Sequence, residues 1–260
     1  MGDPTNTGPG SQEAGVEADI ATVAAAIGDQ SRTRVLLALA GGAALPAGAL
    51  AVEAGVSPAT ISGHLSKLLD AKLLTVERDG RHRFYRLASR DVARALESLA
   101  LLAEPVPARS LRRSTRARSL LRARLCYDHL AGQLGVDLMA ALVRRGVLVA
   151  DTEPLPATPS GHTPYESEGA AEYTVTSAGL RLLGELGVEL SSLTGRRNPS
   201  VRYCVDWAER RPHLAGPLGA ALTDRLFELG WLRRGRSHRM VALTDAGAAG
   251  LLDTFGVAAH

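Results

Sequence analysis

The chain has 260 residues, about two domains at the usual 100–200 residues per domain. Its 45% hydrophobic and 22% charged residues are ordinary values for a globular protein. No apolar run of about 18 residues occurs and no basic segment leads into an apolar one at the N-terminus, which excludes a transmembrane helix and argues against a secretory signal. Two cysteines, Cys126 and Cys204, exclude a disulfide scaffold and indicate a reducing, cytoplasmic compartment.

The net charge of +3 is distributed unevenly. Residues 1–17 contain three acidic and no basic side chains and are rich in Gly, Pro and Thr, which predicts a disordered tail. Residues 105–124 contain no acidic side chain and seven arginines, namely Arg109, Arg112, Arg113, Arg116, Arg118, Arg122 and Arg124. We predict an Arg-rich linker helix, whose charges face DNA or an acidic surface of the second domain, or are simply solvated.

Residues 18–104 begin with two predicted helices. Apolar residues at helical spacing predict a helix over 18–28, and Asp29 is a typical N-cap for the helix that follows. After a Gly/Pro/Ala stretch, a short third helix is expected around residues 49–54.

Three local sequence patterns predict the remaining elements of this domain. Ser57 followed by Pro58 predicts the cap and first turn of a helix over 58–70. Asp79-Gly80 between two strand-like runs predicts a two-stranded hairpin over 74–87. Ser89 predicts the cap of a last helix over about 90–103. The full order is that of a winged helix-turn-helix domain over residues 18–104.

Three stretches in this domain resemble the ArsR/SmtB family of bacterial transcriptional regulators. They read GDQSR at 28–32, VSPATISGHL at 56–65 and GRHRFYRL at 80–87. The resemblance covers a third of the chain and implies a homodimeric repressor that a signal releases from its operator. It also implies that helices 18–28 and 90–103 form the dimer surface.

The chain departs from this family at three places. Metal-sensing members often carry a cysteine pair at the start of the third helix, where residues 45–49 here contain no thiol. Others use Asp and His pairs on the last helix, where Asp91 has no histidine within 88–104. Gly63 stands where a cationic residue is common. The resemblance therefore implies DNA binding without those metal sites.

The predicted DNA-binding residues lie on helix 58–70 and on the hairpin. Opposite its apolar face the helix presents short polar groups that suit a major groove about 12 Å wide, at Ser57, Thr60, Ser62, Gly63, Ser66 and Lys67, with His64 flanking. The hairpin adds cationic groups for phosphate contacts, at Arg78, Arg81, His82 and Arg83. The alternatives are a solvated helix face and an exposed hairpin balanced by Glu77 and Asp79.

Residues 125–260 contain two copies of one pattern, at 125–190 and 203–257. Each copy has a Cys-x-Asp element, a His-Leu-Ala-Gly run, a helix that ends at a glycine, a hairpin and a second helix. The hairpin of the first copy is long and Pro-rich over 150–170, and that of the second is short and basic. We predict a duplicated, winged-helix-like domain with a sensing or dimerising role.

The duplicated elements contain four candidate metal ligands: Cys126, His129, Cys204 and His213. Thiolates and imidazoles are the ligands that zinc and other thiophilic metals prefer. Asp128 and Asp206 would then be hydrogen-bond partners of the ligands, or ligands themselves. A redox-active thiol pair and simple packing of small buried cysteines are the alternatives.

The aromatic residues near the repeats raise a further hypothesis, an apolar ligand pocket between the copies. They are Tyr127, Tyr203, Trp207 and Trp231. The alternative is an aromatic cluster in the core.

Taken together, the sequence predicts a mainly α protein with small β-wings, a winged helix-turn-helix domain followed by a duplicated domain. It predicts a homodimeric, cytoplasmic repressor that binds double-stranded operator DNA and responds to a metal or small-molecule effector. A winged-helix protein-interaction module without specific DNA binding is the alternative. We do not expect an enzyme, because the sequence contains no phosphate loop, nucleophile elbow, zinc-protease or dinucleotide motif. No membrane partner is expected.

Overall fold

The computed structural model describes residues 18–104, 111–150, 173–188, 200–235 and 237–258. The predicted tail over 1–17 and most of the Pro-rich hairpin over 150–170 lie outside the described residues. None of the described helices is both long and apolar enough to cross a membrane.

The first part of the chain is a winged helix-turn-helix domain, as the sequence predicts. Its elements are α1 (Ile20–Ile27), α2 (Gln30–Leu39), β1 (Leu45–Pro46), α3 (Ala47–Ala54), α4 (Pro58–Asp70), β2 (Leu74–Asp79), β3 (His82–Leu87) and α5 (Arg90–Leu102). The sheet has three antiparallel strands in the order β1-β3-β2, one more than the predicted hairpin. The additional strand pairs only Leu45 with Tyr85 and Pro46 with Phe84, and is too short to leave a periodic signal.

Local capping fixes where these helices begin. The Asp29 carboxylate accepts a 2.9 Å hydrogen bond from the Arg32 N–H, and the Ser57 hydroxyl accepts one of 3.2 Å from the Thr60 N–H. Ser89 caps α5 in the same way. Each cap satisfies an N–H group that has no partner within its own helix. Inside the domain, α2, α3 and α4 bury a shared set of leucines and isoleucine, including Leu36, Leu39, Leu50, Ile61, Leu65 and Leu68.

The Arg-rich segment forms helix α6 (Leu111–Arg122) and then enters a strand. Arg109 lies outside the described residues. Arg116 pairs with Glu53 of α3 at 2.5 Å, whereas Arg118 and Arg122 are exposed. Arg124 departs from the predicted linker helix, since it lies in a strand and is 1% exposed. The segment therefore divides into a surface helix and one deeply buried arginine.

The rest of the chain repeats the order strand, strand, helix, strand, strand, helix. The first set is β4 (Arg124–Cys126), β5 (His129–Ala131), α7 (Gln133–Arg144), β6 (Leu148–Ala150), β7 (Tyr173–Val175) and α8 (Ser177–Glu185). The second set is β8 (Ser200–Val205), β9 (Pro212–Ala215), α9 (Gly216–Glu228), β10 (Leu232–Arg234), β11 (Val241–Leu243) and α10 (Asp245–Phe255). Strands β6-β7-β8-β9 form one antiparallel sheet, and β4-β5 and β10-β11 form two-stranded sheets.

The leading hairpin of each set is not predicted from the sequence. The first three residues of each His-Leu-Ala-Gly run lie in strands β5 and β9, and the glycine follows the strand. Gly132 and Gly216 then adopt positive φ angles of 79° and 67°, which turn the chain from strand into helix. Three of the four strands, β4, β5 and β9, have only three or four residues, which is too short to show the alternation that identifies a strand.

Corresponding positions of the two sets make corresponding contacts. Thr176 caps α8 through the Gly179 N–H at 2.9 Å, and Thr244 caps α10 through the Gly247 N–H at 2.9 Å. Both sets contribute to a single apolar core, with Leu142 of α7 and Leu226 of α9 among its buried residues. These contacts support the duplication, which remains a prediction.

Candidate functional site

Helix α4 presents an exposed polar face. Thr60, Ser62, Gly63, Ser66 and Lys67 are exposed, whereas Ile61, Leu65 and Leu68 are buried on the opposite face. The hydroxyls of Ser57 and Thr60 lie 2.8 Å apart at the start of the helix. The His64 side chain is only 18% exposed and its Nδ1 lies 3.6 Å from an Asp29 carboxylate oxygen. His64 therefore packs towards α2, while the polar face is open to a partner.

The β2–β3 hairpin concentrates positive charge. Arg78, Arg81 and Arg83 are all exposed. Arg78 and Arg83 are direct cross-strand partners, an arrangement that costs stability because like charges face each other. Glu77 does not offset it, because its carboxylate pairs with Arg86 at 3.1 Å. This geometry favours an anionic partner at the tip of the hairpin.

The four candidate metal ligands come together between the two repeat units. One ligand atom each from Cys126, His129, Cys204 and His213 lies within 4.8 Å of every other. Pairing register explains how this happens: Cys126 is the cross-strand partner of His129 on β5, and Cys204 is that of His213 on β9. The two-residue and eight-residue gaps between Cys and His therefore produce the same local geometry, because the longer loop only extends the second hairpin.

Close packing across the repeats holds the histidines in place. The imidazoles of His129 and His213 stack at 5.3 Å between centroids. A Cβ atom at Gly219 of α9 would lie 3.2 Å from Cβ of His129, and one at Gly135 of α7 would lie 3.6 Å from Cβ of His213. Each histidine thus packs against a glycine of the opposite unit, and a larger residue at Gly219 would also approach the Leu214 carbonyl oxygen to 2.8 Å.

Each histidine faces a carboxylate with its Nδ1 atom. His129 Nδ1 lies 3.1 Å from Oδ1 of Asp128, and His213 Nδ1 lies 3.9 Å from Oδ2 of Asp206. Among the described residues, Nε2 of His129 and both ring nitrogens of His213 have no hydrogen-bond partner, although both side chains are buried. Buried polar atoms are normally satisfied, so these nitrogens point to a ligand. A carboxylate on one imidazole nitrogen with the other directed to the metal is a common arrangement in metal sites.

Electrostatics set the protonation of the cluster. Burial and the adjacent charge of His129 lower the pKa of His213 to about 3, so this imidazole is neutral. Burial opposes the charge on His129, but its hydrogen bond with Asp128 and the neighbouring Cys126 raise its pKa to about 9. Hydrogen bonding with Cys204 and burial raise the pKa of the Cys126 thiol well above its ordinary value. Without a metal the cluster therefore holds protons that a cation would displace.

A cleft of about 580 Å³ leads to the cluster between α5 and the strands β4, β5 and β8. Cys126, His129 and Cys204 line it, whereas His213 does not. Tyr127 and Tyr203 also line the cleft, but Trp207 stacks on Arg124 at 4.8 Å and Trp231 packs against the apolar core. The four aromatic residues are therefore not gathered around one apolar pocket between the copies, and the cleft instead gives access to the thiols.

The comparisons with known proteins agree with the fold. A family model described as a helix-turn-helix domain matches residues 27–77. Over 229 residues the chain is 38% identical to the HTH-type transcriptional regulator YdfF of Bacillus subtilis, which covers 88% of this chain and 93% of that protein. The chain belongs to the HTH-type transcriptional regulators. The winged helix-turn-helix transcriptional regulator that the sequence predicts is confirmed, and the 229 aligned residues extend the similarity to YdfF well beyond residues 18–104.

Further relatives match about a third of the regulator. It is 37% identical over 83 residues to the HTH-type transcriptional regulator CmtR of Mycobacterium bovis, covering 32% of this chain and 70% of that protein. The NMR structure of the cadmium metal-sensor CMTR from Mycobacterium tuberculosis covers 35% of this chain and 99% of its own, at 32% identity and a TM-score of 0.28. NolR from Sinorhizobium fredii covers 34% of this chain and 86% of its own, at 29% identity and a TM-score of 0.31.

Sequence reasoning missed a buried charge network beside the cluster. Arg124 donates a 2.9 Å hydrogen bond to Asp206 and lies 3.6 Å from Glu97 of α5. Arg239 also pairs with Glu97 and donates to the Leu125 carbonyl oxygen at 3.1 Å. Burial would raise the pKa of Asp206, but the Arg124 charge and the Gly132 N–H lower it below its ordinary value. No local pattern separates these side chains from the other arginines and acids of the chain.

Proposed function

We propose that the regulator is a cytoplasmic, homodimeric repressor that inserts α4 into the major groove of a double-stranded operator. The exposed polar face of α4 beside an arginine-rich hairpin supports DNA reading, because short polar groups suit base edges and arginines suit phosphates. In a two-fold dimer, each α4 would contact one half of a pseudo-palindromic site. We assign no catalytic role to any residue.

Exposed apolar side chains support α1 and α5 as the dimer surface. Ile20 of α1 is 73% exposed and Leu102 of α5 is 78% exposed, with Leu99 at 46%. Surfaces of this kind are usually covered by a partner. The predicted pairing of helices 18–28 and 90–103 gives these side chains a place to be buried.

We further propose that the signal is a thiophilic divalent metal, with zinc as the reference ion, held by Cys126, His129, Cys204 and His213. The observation that carries this proposal is the pair of buried imidazole Nε2 atoms without partners, next to two thiols. A disulfide between the cysteines would leave both imidazoles unsatisfied, whereas one tetrahedral metal would use all four groups. The cleft beside α5 provides a route for the metal to reach the thiols.

Two lysines give a matched test of the DNA-binding face. Lys67 lies on the polar face of α4 and Lys72 lies in the turn before β2, and both are exposed. On the DNA upstream of the regulator's own gene, Lys67→Gln should weaken binding and Lys72→Gln should leave it near that of the wild type. Equal effects of both substitutions would contradict the placement of α4 in the groove.

Cobalt(II) gives a direct test of the metal centre. The reduced, chelator-treated protein should bind one Co²⁺ per chain and develop the intense visible absorption of a tetrahedral, thiolate-ligated ion. Cys204→Ser should weaken the charge-transfer band, and His213→Ala should remove tight binding. Substoichiometric uptake, or an octahedral spectrum that none of these changes alters, would refute the site. If a Cys126–Cys204 disulfide forms under mild oxidant and the protein does not bind the metal, redox sensing is favoured instead.

A further inference from the structure

Both candidate histidine ligands are connected to helix α5 through their carboxylates, an inference that rests on the metal site proposed above. The shorter route starts at His129, whose Nδ1 lies 3.1 Å from Asp128. The other carboxylate oxygen of Asp128 pairs with Arg90, the first residue of α5, at 2.5 Å. The same turn is fixed to the DNA-binding domain by the Tyr127 N–H, which donates to the Ala40 carbonyl oxygen at 2.6 Å.

The longer route starts at His213 and is entirely buried. Asp206, which is 0% exposed, lies 3.9 Å from His213 Nδ1 and 2.9 Å from Arg124. Arg124 lies 3.6 Å from Glu97 of α5, and Glu97 is also paired with Arg239. Three side chains that come from distant parts of the sequence thus join one metal ligand to the DNA-binding domain.

This buried route has unused hydrogen-bonding capacity. Nδ1 of His213, Nε of Arg124 and Oε2 of Glu97 have no hydrogen-bond partner in the part of the chain that the structure describes. Buried groups in this condition are costly, so a rearrangement that satisfies them is favourable. A hydrogen bond from His213 to Asp206 would require the two side chains to approach by about 1 Å.

We propose that α5 is the element that responds to metal occupancy, through the routes His129–Asp128–Arg90 and His213–Asp206–Arg124–Glu97. A metal on Nε2 makes Nδ1–H of each imidazole a fixed donor to its carboxylate. Asp206 then moves towards His213, and its ion pair with Arg124 weakens. The guanidinium of Arg124 turns towards Glu97 as a result. Because α5 follows the β2–β3 hairpin directly and carries the exposed Leu99 and Leu102, its displacement changes the spacing of the two α4 helices in the dimer.

The test separates metal binding, DNA binding and the coupling between them. Operator affinity is measured by fluorescence anisotropy on the DNA upstream of the regulator's own gene, with chelator and with Zn²⁺, and metal affinity is measured by Co²⁺ absorption. Metal should weaken operator binding of the wild type by about 5–150-fold, the usual range of allosteric coupling. Glu97→Gln should bind Co²⁺ and operator like the wild type but lose the metal effect to within twofold.

Two further substitutions control for unfolding of the Glu97→Gln variant and for a general effect of charge. Arg90 is half-exposed, so Arg90→Gln will fold, and it should reduce the metal effect severalfold while leaving Co²⁺ binding intact. Asp91→Asn is the matched control, because Asp91 is 84% exposed on the same helix and pairs with Arg94, which belongs to neither route. It should retain the full effect.

The outcomes distinguish the two proposals. If the wild type binds metal and releases DNA but Glu97→Gln and Arg90→Gln release it equally well, the routes are wrong and the metal site stands. If the wild type binds no metal, or binds it without any change in operator affinity, both proposals fail.

Discussion

Replacing Arg124 by glutamine tests the energetic role of the buried network. Arg124 is 1% exposed and supplies the cation nearest to Asp206, which is itself fully buried. Removing one partner of a buried ion pair costs about 3–5 kcal/mol, because the remaining charge is left without compensation. Asp206 still accepts hydrogen bonds from the backbone N–H groups of Gly132, Ala208 and Glu209. We therefore expect the lower end of this range, about 3 kcal/mol.

Tryptophan fluorescence can follow this loss selectively. Both tryptophans, Trp207 and Trp231, lie in the C-terminal repeats, and Trp207 stacks directly on Arg124. Urea unfolding monitored by this signal should show a midpoint lower by about 1–3 M, from a slope of about 1–3 kcal/mol/M. Arg118→Gln, on the exposed face of α6, is the control and should change the midpoint little. If Arg124→Gln lowers the free energy of unfolding by less than about 0.5 kcal/mol, the size of a surface substitution, the buried network does not stabilise the fold.

Three other perturbations have defined outcomes. Arg81→Ala should weaken binding to all DNA sequences alike and reduce the slope of log K against log salt by about 0.9, and an unchanged slope would show that the hairpin tip does not contact phosphate. Gly219→Ala should lower thermal stability and Co²⁺ affinity, because its Cβ would approach the Leu214 carbonyl oxygen and His129. Gly184→Ala is the control and should lower neither, because a Cβ there meets nothing within 4 Å. Equal effects of the two substitutions would contradict the packing of Gly219 against His129. Ser57→Ala should cost about 1 kcal/mol of stability in urea unfolding through the lost cap, and no loss would show that the cap is dispensable.

The winged helix-turn-helix domain could be predicted because its signals are local. Asp29, Ser57 and Ser89 each cap a helix within three residues of themselves, and Asp79-Gly80 closes a hairpin of directly adjacent strands. Helical spacing of apolar residues then places α4 correctly from Pro58 to Asp70. None of these features depends on contacts between distant parts of the chain.

The candidate Cys/His cluster was only half predictable. The duplicated Cys-x-Asp and His-Leu-Ala-Gly elements identify the four side chains, but sequence spacing cannot show that Cys126 and Cys204 each pair with a histidine across a hairpin. That register depends on strands of three to six residues, whose pairing is decided by tertiary packing. The buried network was not predictable at all, because Arg124 ends a run of arginines in which Arg116, Arg118 and Arg122 are exposed.

Operator binding of the reduced regulator across a zinc titration tests metal control of DNA binding most directly. It would be measured on the DNA upstream of its own gene, with the wild type and with His213→Ala. If a bound metal releases the DNA, the chelated wild type binds tightly and salt-dependently, about one Zn²⁺ per chain releases it, and His213→Ala continues to bind. Operator binding that zinc does not change in the wild type would contradict metal control, and binding that is weak and blind to sequence would indicate a protein-interaction module instead.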